Sequence, residues 1–372
     1  MILYITYNDT PSGIYSSQVI DVVKYIHLKL ETPCKLISFI SLRGFSKNRK
    51  KIKQELKAAI VLPMYPGIKR WRSNTVLLKL LCLFFQPRIL IGRSVLATHL
   101  ALNCRKSKRK IIYDGRGAIA AEWKEYGVVT NLQMLSEIPE LEKTAILNSD
   151  FRIAVSQQLV NYWEEHYTYK NNQHEVIPCT LNEVFETADL SPELIMTQRS
   201  NLGINTEDLV FVYSGSIAGW QSFDLLYSYI EPLLKSSLHV KLLFLSDKDS
   251  HILKLEKEFP GQILCKKVSP EKVPAYLMAA DFGLLIREAS ITNKVASPVK
   301  FAEYLACGLK VIISDQLGDY TNFVNANACG FISTSPEPPV KPVFKEKNLM
   351  RNLALKNFTK SNFRNSFIML TR

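Results

Sequence analysis

The densest chemical signal in the chain is the run Ser297-Pro298-Val299-Lys300-Phe301-Ala302-Glu303-Tyr304-Leu305-Ala306-Cys307-Gly308. Ser297 suits the cap of a helix, Pro298 its first position and Gly308 the position just past its end. The start of such a helix presents unpaired N–H groups and a partial positive charge, a ready seat for phosphate. Glu303 stands just over one turn further in, where a carboxylate can accept both hydroxyls of a ribose. The plainer alternative makes Lys300 and Glu303 a surface i, i+3 pair worth about a few tenths of a kcal/mol.

Other charged residues directly follow predicted strands. Arg287 and Glu288 come after the run 282–286, with Asn293 in the same loop, and Asp114 and Arg116 come after 110–113. Open α/β sheets bind their ligands beyond the carboxyl ends of the strands. A guanidinium at Arg287 matches the oxygens of a leaving diphosphate, while Glu288 and Asn293 suit sugar hydroxyls. Asp114 and Arg116 are expected to serve the reacting centre from a second domain. The alternative for each pair is a local ion pair that braces a loop. The six histidines stand singly, and His27 and His99 fall in apolar helical patterns. Seven dispersed cysteines without a Cys-x-x-Cys pair encode neither a disulfide framework nor a zinc site, so a reducing compartment and metal-free chemistry are expected.

These residues need an alternating β/α chain to position them. Nearly continuous apolar runs at 2–6, 35–40, 59–62, 89–91, 110–113, 151–155 and 175–177 predict strands of a parallel sheet covered on both faces. Helical patterns at 17–30, 75–85 and 157–166 lie between them. The stretch 178–204, with Pro192, reads as irregular. The rhythm then resumes, with strands at 209–213, 240–245, 263–266, 282–286 and 310–313 and helices at 223–235, 251–258, 270–279 and 299–307. The expected fold class is α/β with two Rossmann-like domains facing each other across a cleft. The expected domains are 1–180, 181–340 and a basic tail, 341–372, packing back on the first domain.

Charge separates these regions. Residues 1–113 carry 21 Lys or Arg against 4 Asp or Glu, and 341–372 carry 8 against 1, whereas the rest is net −11. The density of Arg43, Lys47, Arg49, Lys50, Lys51, Lys53 and Lys57 points to an anionic partner, either a membrane surface, a nucleic acid or a phosphorylated substrate. Together with Lys69, Arg70, Trp71, Arg72 and the apolar run 76–85, they suggest one cationic and apolar edge suited to an acidic bilayer. Taken alone, 76–85 reads as a core helix. That run is the longest apolar candidate, at ten residues and interrupted by Lys79, so no membrane span or leader is expected. No nucleic-acid motif accompanies the charge, so nucleic acid is not the expected partner.

The segment 273–314, with Ala279-Ala280-Asp281-Phe282-Gly283 and the helix above, resembles the donor-binding half of family 4 glycosyltransferases of the GT-B fold. The resemblance extends to Phe211-Val212-Tyr213-Ser214-Gly215-Ser216, Ala154-Val155-Ser156 and Val176-Ile177-Pro178, covering roughly 110–335 in order. It implies a retaining transfer of a sugar from a nucleoside-diphosphate sugar to an acceptor hydroxyl of a glycan or lipid-linked acceptor. A divergent member of the bacterial-polysaccharide type, acting in the cytoplasm or on the inner face of the membrane, is the reading that follows.

By the same resemblance Glu303 holds the ribose, and Ser297, Pro298 and Lys300 lie at the donor phosphates or sugar. Gly215 and Ser216, with Gln221 beyond, form the loop at the diphosphate, and Gly13 sits in the first loop on the acceptor side. Three features depart from the family pattern. Val295 stands where a glutamate eight before Glu303 is usual, Ser216 and Gln221 stand where basic residues are frequent, and Ile111-Ile112-Tyr113-Asp114-Gly115-Arg116-Gly117 lacks the usual histidine. A non-catalytic scaffold on the same fold, a nucleotide-sugar epimerase and a nucleic-acid-binding protein are the alternatives.

Overall fold

Large aliphatic and β-branched runs form two parallel sheets. The computed structural model describes residues 1–65, 67–215, 222–333 and 339–372. The chain divides into two compact units, one of Met1–Thr180 with Val295–Ser297 and Lys360–Arg372, the other of Leu181–Lys294 with Pro298–Thr359.

In the first unit β1 (Ile2–Tyr7), β2 (Cys34–Ile40), β3 (Ile60–Pro63), β4 (Ile89–Arg93), β5 (Lys110–Gly115), β6 (Phe151–Ala154) and β7 (His174–Val176) form one sheet. Its order is β3-β2-β1-β4-β5-β6-β7, and every pairing is parallel. Every residue of β1 is buried, because both faces are covered. Leu3 and Ile5 pack with Leu78 and Cys82 of the helix Thr75–Phe85 on one face. Ile2 and Tyr4 pack on the other with Ile52 of the helix Phe45–Glu55 and with Phe367 and Leu370 of the helix Arg364–Thr371. The basic helix and the apolar helix therefore lie on opposite faces of the sheet, which corrects the expectation of one continuous edge. Sequence proximity suggested that edge, but the crossover through β3 separates them.

In the second unit β8 (Leu209–Ser214), β9 (Val240–Leu245), β10 (Ile263–Cys265), β11 (Phe282–Leu285), β12 (Lys310–Ile313) and β13 (Gly330–Ile332) are ordered β10-β9-β8-β11-β12-β13, all parallel. β13, only three residues long, leaves too thin an apolar run to be read from sequence. Val210, Val212, Val311 and Ile313 pack against Phe301, Tyr304 and Leu305 of the helix Val299–Ala306 and against Met350 and Phe358 of the helix Phe344–Phe358. The opposite face is filled by Phe211, Phe244 and Phe282 with Leu226, Ile230 and Leu255. In both sheets the strand order reverses beside the first strand, between β1 and β4 and between β8 and β11. Such a reversal opens a crevice at the carboxyl edge.

Two local expectations change. The stretch 178–204, irregular by sequence pattern, holds the helices Glu183–Glu186 and Pro192–Asn201. Asn182 and Ser191 cap them, and Pro192 begins the second rather than breaking one. The basic tail is two helices, of which Phe344–Phe358 belongs to the second unit and Arg364–Thr371 to the first.

Candidate active site

The second unit gathers its polar groups at the carboxyl edge of β8 and β11. Gly283 on β11 lets the helix Val299–Ala306 approach closely, since a Cβ there would collide with the Tyr304 ring. The Tyr304 hydroxyl accepts from the Ser214 N–H at 3.0 Å, fixing the helix over the end of β8. The helix starts one residue later than expected, with Pro298 at the cap and no side-chain cap bond. Ser297 belongs to the first unit, where its hydroxyl accepts from the Cys179 N–H at 2.9 Å. Gly308, at φ +80°, ends the helix as the sequence indicates.

Lys300 points along this helix to Gly215, the first residue past β8. Its ammonium lies 4.8 Å from the centroid of the Tyr213 ring. A Cβ at position 215 would stand 2.5 Å from Lys300 Nζ, and Gly215 has φ +123°. Glu303 follows on the same helix face, and both side chains are partly buried. Burial first, then the Arg287 charge, draws the Lys300 ammonium down to about 7 against the support of Glu303. Burial pushes the Glu303 carboxyl up to about 7, against the pull of Lys300. An anion and a pair of hydroxyls would relieve both strains at once.

Arg287 follows β11 at its carboxyl end. Its guanidinium donates from Nη1 to Asn293 Oδ1 at 3.3 Å, and its N–H donates to Ser314 Oγ at 2.7 Å. Asn293 is buried and donates in turn to the Glu288 carbonyl at 3.1 Å, so it orients Arg287 and the loop. The Glu288 side chain is exposed, and its N–H donates to Ser222 Oγ at 2.9 Å. The structure thus brings Gly215, Arg287, Asn293, Pro298, Lys300 and Glu303 to one unit. Ser216 and Gln221 lie outside the described residues. Tyr213 and Tyr304 were not singled out from sequence, because aromatic residues at strand and helix positions read as core.

The first unit builds a different cluster. Asp114, the penultimate residue of β5, is fully buried. It accepts from the Tyr4 hydroxyl and from Arg116 Nη2 at 2.8 Å, and Arg116 Nε faces its other oxygen at 2.8 Å. Arg93, at the end of β4, lies 3.8 Å from Asp114 and 3.6 Å from Asp9. Burial opposes the Arg116 charge, yet Asp114 holds it above the ordinary guanidinium range. Burial raises the Asp9 carboxyl despite Arg93. Asp114 is therefore clamped by two guanidinium groups and a phenol, an arrangement that holds Arg93 and Arg116 at the carboxyl end of β4 and β5. The strand-end logic that marked Asp114 applies equally to Asp9 and Arg93, which were missed. Gly13 begins the short helix Gly13–Tyr15, where a Cβ would meet nothing within 4 Å. Val295 is core in this unit.

Metal-free chemistry is the expectation from dispersed ligands and from the reading that no Asp-x-Asp occurs; the second premise is corrected by one such triplet, Asp247-Lys248-Asp249. Asp249 caps the helix Ser250–Glu258 by accepting from His251 and Ile252 N–H groups at 3.0 Å, and Asp247 pairs with Lys267. Among the described residues no group of three or more His, Cys, Asp or Glu is placed to hold a metal ion.

No family model and no curated protein matches the sequence. Solved structures do resemble the fold. HepE from Anabaena, in complex with UDP, is 13% identical over 100% of both chains, with a TM-score of 0.72. A glycosyltransferase from Rickettsia africae is 15% identical over 100% of this chain and 97% of that one, with a TM-score of 0.71. WaaG, a glycosyltransferase involved in lipopolysaccharide biosynthesis, is 13% identical over 100% and 94%, with a TM-score of 0.63. The fold is GT-B, with two parallel sheets of seven and six strands flanked by helices.

Proposed function

We propose that the chain is a glycosyltransferase that moves a sugar from a nucleoside-diphosphate sugar to an acceptor hydroxyl. The observation that carries this reading is the Lys300 ammonium held against Gly215 at the end of β8, with Arg287 near and Glu303 one turn on. HepE, which shares the fold, was solved in complex with UDP and with UDP and glucose, which supports a nucleotide-sugar as the donor. Lys300, Arg287 and the helix N-terminus would bind the diphosphate, and Glu303 the ribose hydroxyls.

In the transfer, the bond from the anomeric carbon to the diphosphate oxygen breaks and a bond from that carbon to the acceptor oxygen forms. The acceptor proton passes to the departing diphosphate, so no strong protein base is required. The cations stabilise the charge that develops on the leaving group, a role a metal fills elsewhere. Retention of configuration, membership of family 4 and a role in surface polysaccharide or glycolipid synthesis complete the proposal. The acceptor side, with Gly13, Arg93 and Arg116, falls to the first unit. The buried Val295, off the family pattern, favours a non-catalytic nucleotide-binding scaffold as the second reading.

Titration of UDP and a UDP-sugar into the parent and Glu303→Ala tests the donor site. Loss of two charge-assisted bonds, each about 1.5 kcal/mol or more, predicts at least about a tenfold fall in affinity. Equal affinities would remove Glu303 from the site. Transfer to a lipid-linked acceptor in excess chelator separates the two readings. Sugar transfer supports the enzyme, nucleotide binding without transfer supports the scaffold, and activity restored only by manganese overturns the metal-free mechanism.

A further inference from the structure

The helix Thr75–Phe85 is apolar on every side except at Lys79, yet only one side of it is packed. Leu78 and Cys82 lie in the core of the first unit, whereas Val76, Leu80, Leu83 and Phe84 are 57 to 81% exposed. At about 100° per residue these four fall in one arc with Lys79 at its rim. An exposed apolar stripe of this kind marks an interaction surface.

Cations frame the stripe. Lys69 and Arg70 precede the helix and are exposed, and Lys35 Nζ lies 5.3 Å from the Phe85 ring centroid. Arg88, Lys106 and Lys108 share the wall of one surface depression with Leu83 and Cys82. Between Leu56 and Tyr113 the chain carries twelve Lys or Arg and no Asp or Glu. Arg72 and Arg105 find carboxylates elsewhere, Glu137 at 3.1 Å and Asp150 at 2.8 Å. Lys69, Arg70, Lys79, Arg88, Lys106 and Lys108 form no such ion pair among the described residues.

We propose that this face rests on an anionic lipid bilayer, with Val76, Leu80, Leu83 and Phe84 entering the headgroup boundary and the cations meeting lipid phosphates. An apolar face bounded by cations is the pattern of a helix lying in the membrane plane. Eleven residues are too few to cross, and no described helix is long and apolar enough to do so. A second copy of the chain fits poorly, because a two-fold contact sets this face against itself and cation against cation. A nucleic acid would engage the cations and leave the apolar stripe in water. The binding stands whether or not the chain transfers sugar, and only its purpose, reaching a lipid-linked acceptor, rests on the function proposed above.

The test uses the full chain with vesicles of phosphatidylcholine alone or mixed with phosphatidylglycerol. The parent should co-sediment with the mixed vesicles only, and salt should release it. Leu80→Ser with Phe84→Ser should weaken partitioning by at least about tenfold. Neutralising Lys79, Arg88 and Lys106 should cost about fivefold for each charge. The emission of a Phe84→Trp variant should shift to the blue on adding mixed vesicles, a readout independent of the other variants. Lys50→Gln with Lys53→Gln, on the opposite face of the sheet, should bind as the parent does. Unchanged partitioning of the Leu80/Phe84 variant, no blue shift in Phe84→Trp, or equal binding to neutral vesicles overturns the proposal. So does self-association through these residues, or DNA binding through these lysines, with no vesicle binding. Because UDP titration reads the second unit alone, failure here leaves the transferase reading intact, and the reverse also holds.

Discussion

Lys300 Nζ occupies the space that a Cβ at position 215 would need, 2.5 Å away. Glycine there does two things. It accepts φ +123°, and it lets an ammonium rest on the end of β8 and over the Tyr213 ring. The Lys300 cation thereby stands at the strand-order reversal, where a diphosphate would find backbone N–H groups and two positive charges together.

Gly215→Ala should therefore displace Lys300 and strain the backbone, lowering UDP affinity by about tenfold while costing about 1–3 kcal/mol of stability. Lys300→Met should lower UDP affinity comparably without the backbone strain. Titration calorimetry beside melting curves separates the two, and unchanged affinity in Lys300→Met would exclude the ammonium from the anion site.

Donor binding should be bell-shaped in pH, centred near 7. Lys300 is held down to about 7, so above that pH it is mostly neutral and must take up a proton to meet a diphosphate. Glu303 is held up to about 7, so below that pH it must lose a proton to accept ribose hydroxyls. Affinity should fall on each side, by up to about tenfold per pH unit. Calorimetry of a UDP-sugar in buffers of different ionisation enthalpy should show proton uptake at alkaline pH and release at acid pH. A flat profile without proton exchange would contradict the arrangement.

Stability of the first unit should depend on Glu142. This buried carboxyl accepts from the N–H groups of Ile119 and Ala120 at 2.8 and 3.1 Å, at the start of the helix Ile119–Tyr126, and from the Tyr167 hydroxyl at 2.8 Å. Glu142→Ala leaves one buried and two half-buried donors without their acceptor and should cost about 3 kcal/mol. Burial pushes Glu142 up to about 7 against those hydrogen bonds, so folding favours its protonated form. Its stabilising share is then complete below the usual carboxylate range and is lost as pH rises through about 7. The advantage of the parent over Glu142→Gln in melting temperature should shrink between about pH 5 and 8, at most by an amount equivalent to about 3 kcal/mol. A constant gap would mean that Glu142 stays ionised throughout.

The sequence by itself determined what local periodicity can specify. Continuous apolar runs such as Ile2–Tyr7 required a sheet covered on both faces, and Gly308 marked the end of the Val299–Ala306 helix. Residues after strands marked Arg287 and Asp114 as edge groups. Only the tertiary structure decided what those groups meet. Asp114 is clamped by Tyr4, 110 positions away, and by Arg93 from another strand, partners that its own neighbours in sequence do not reveal. The Thr75–Phe85 run reads as core by composition, yet the packed sheet has room for Leu78 and Cys82 and leaves Leu80 and Phe84 outside. Helix and strand periods repeat within a few residues and are written along the chain. Contacts across strands depend on sheet order and register, and these are set only when distant segments compete for the same buried surface.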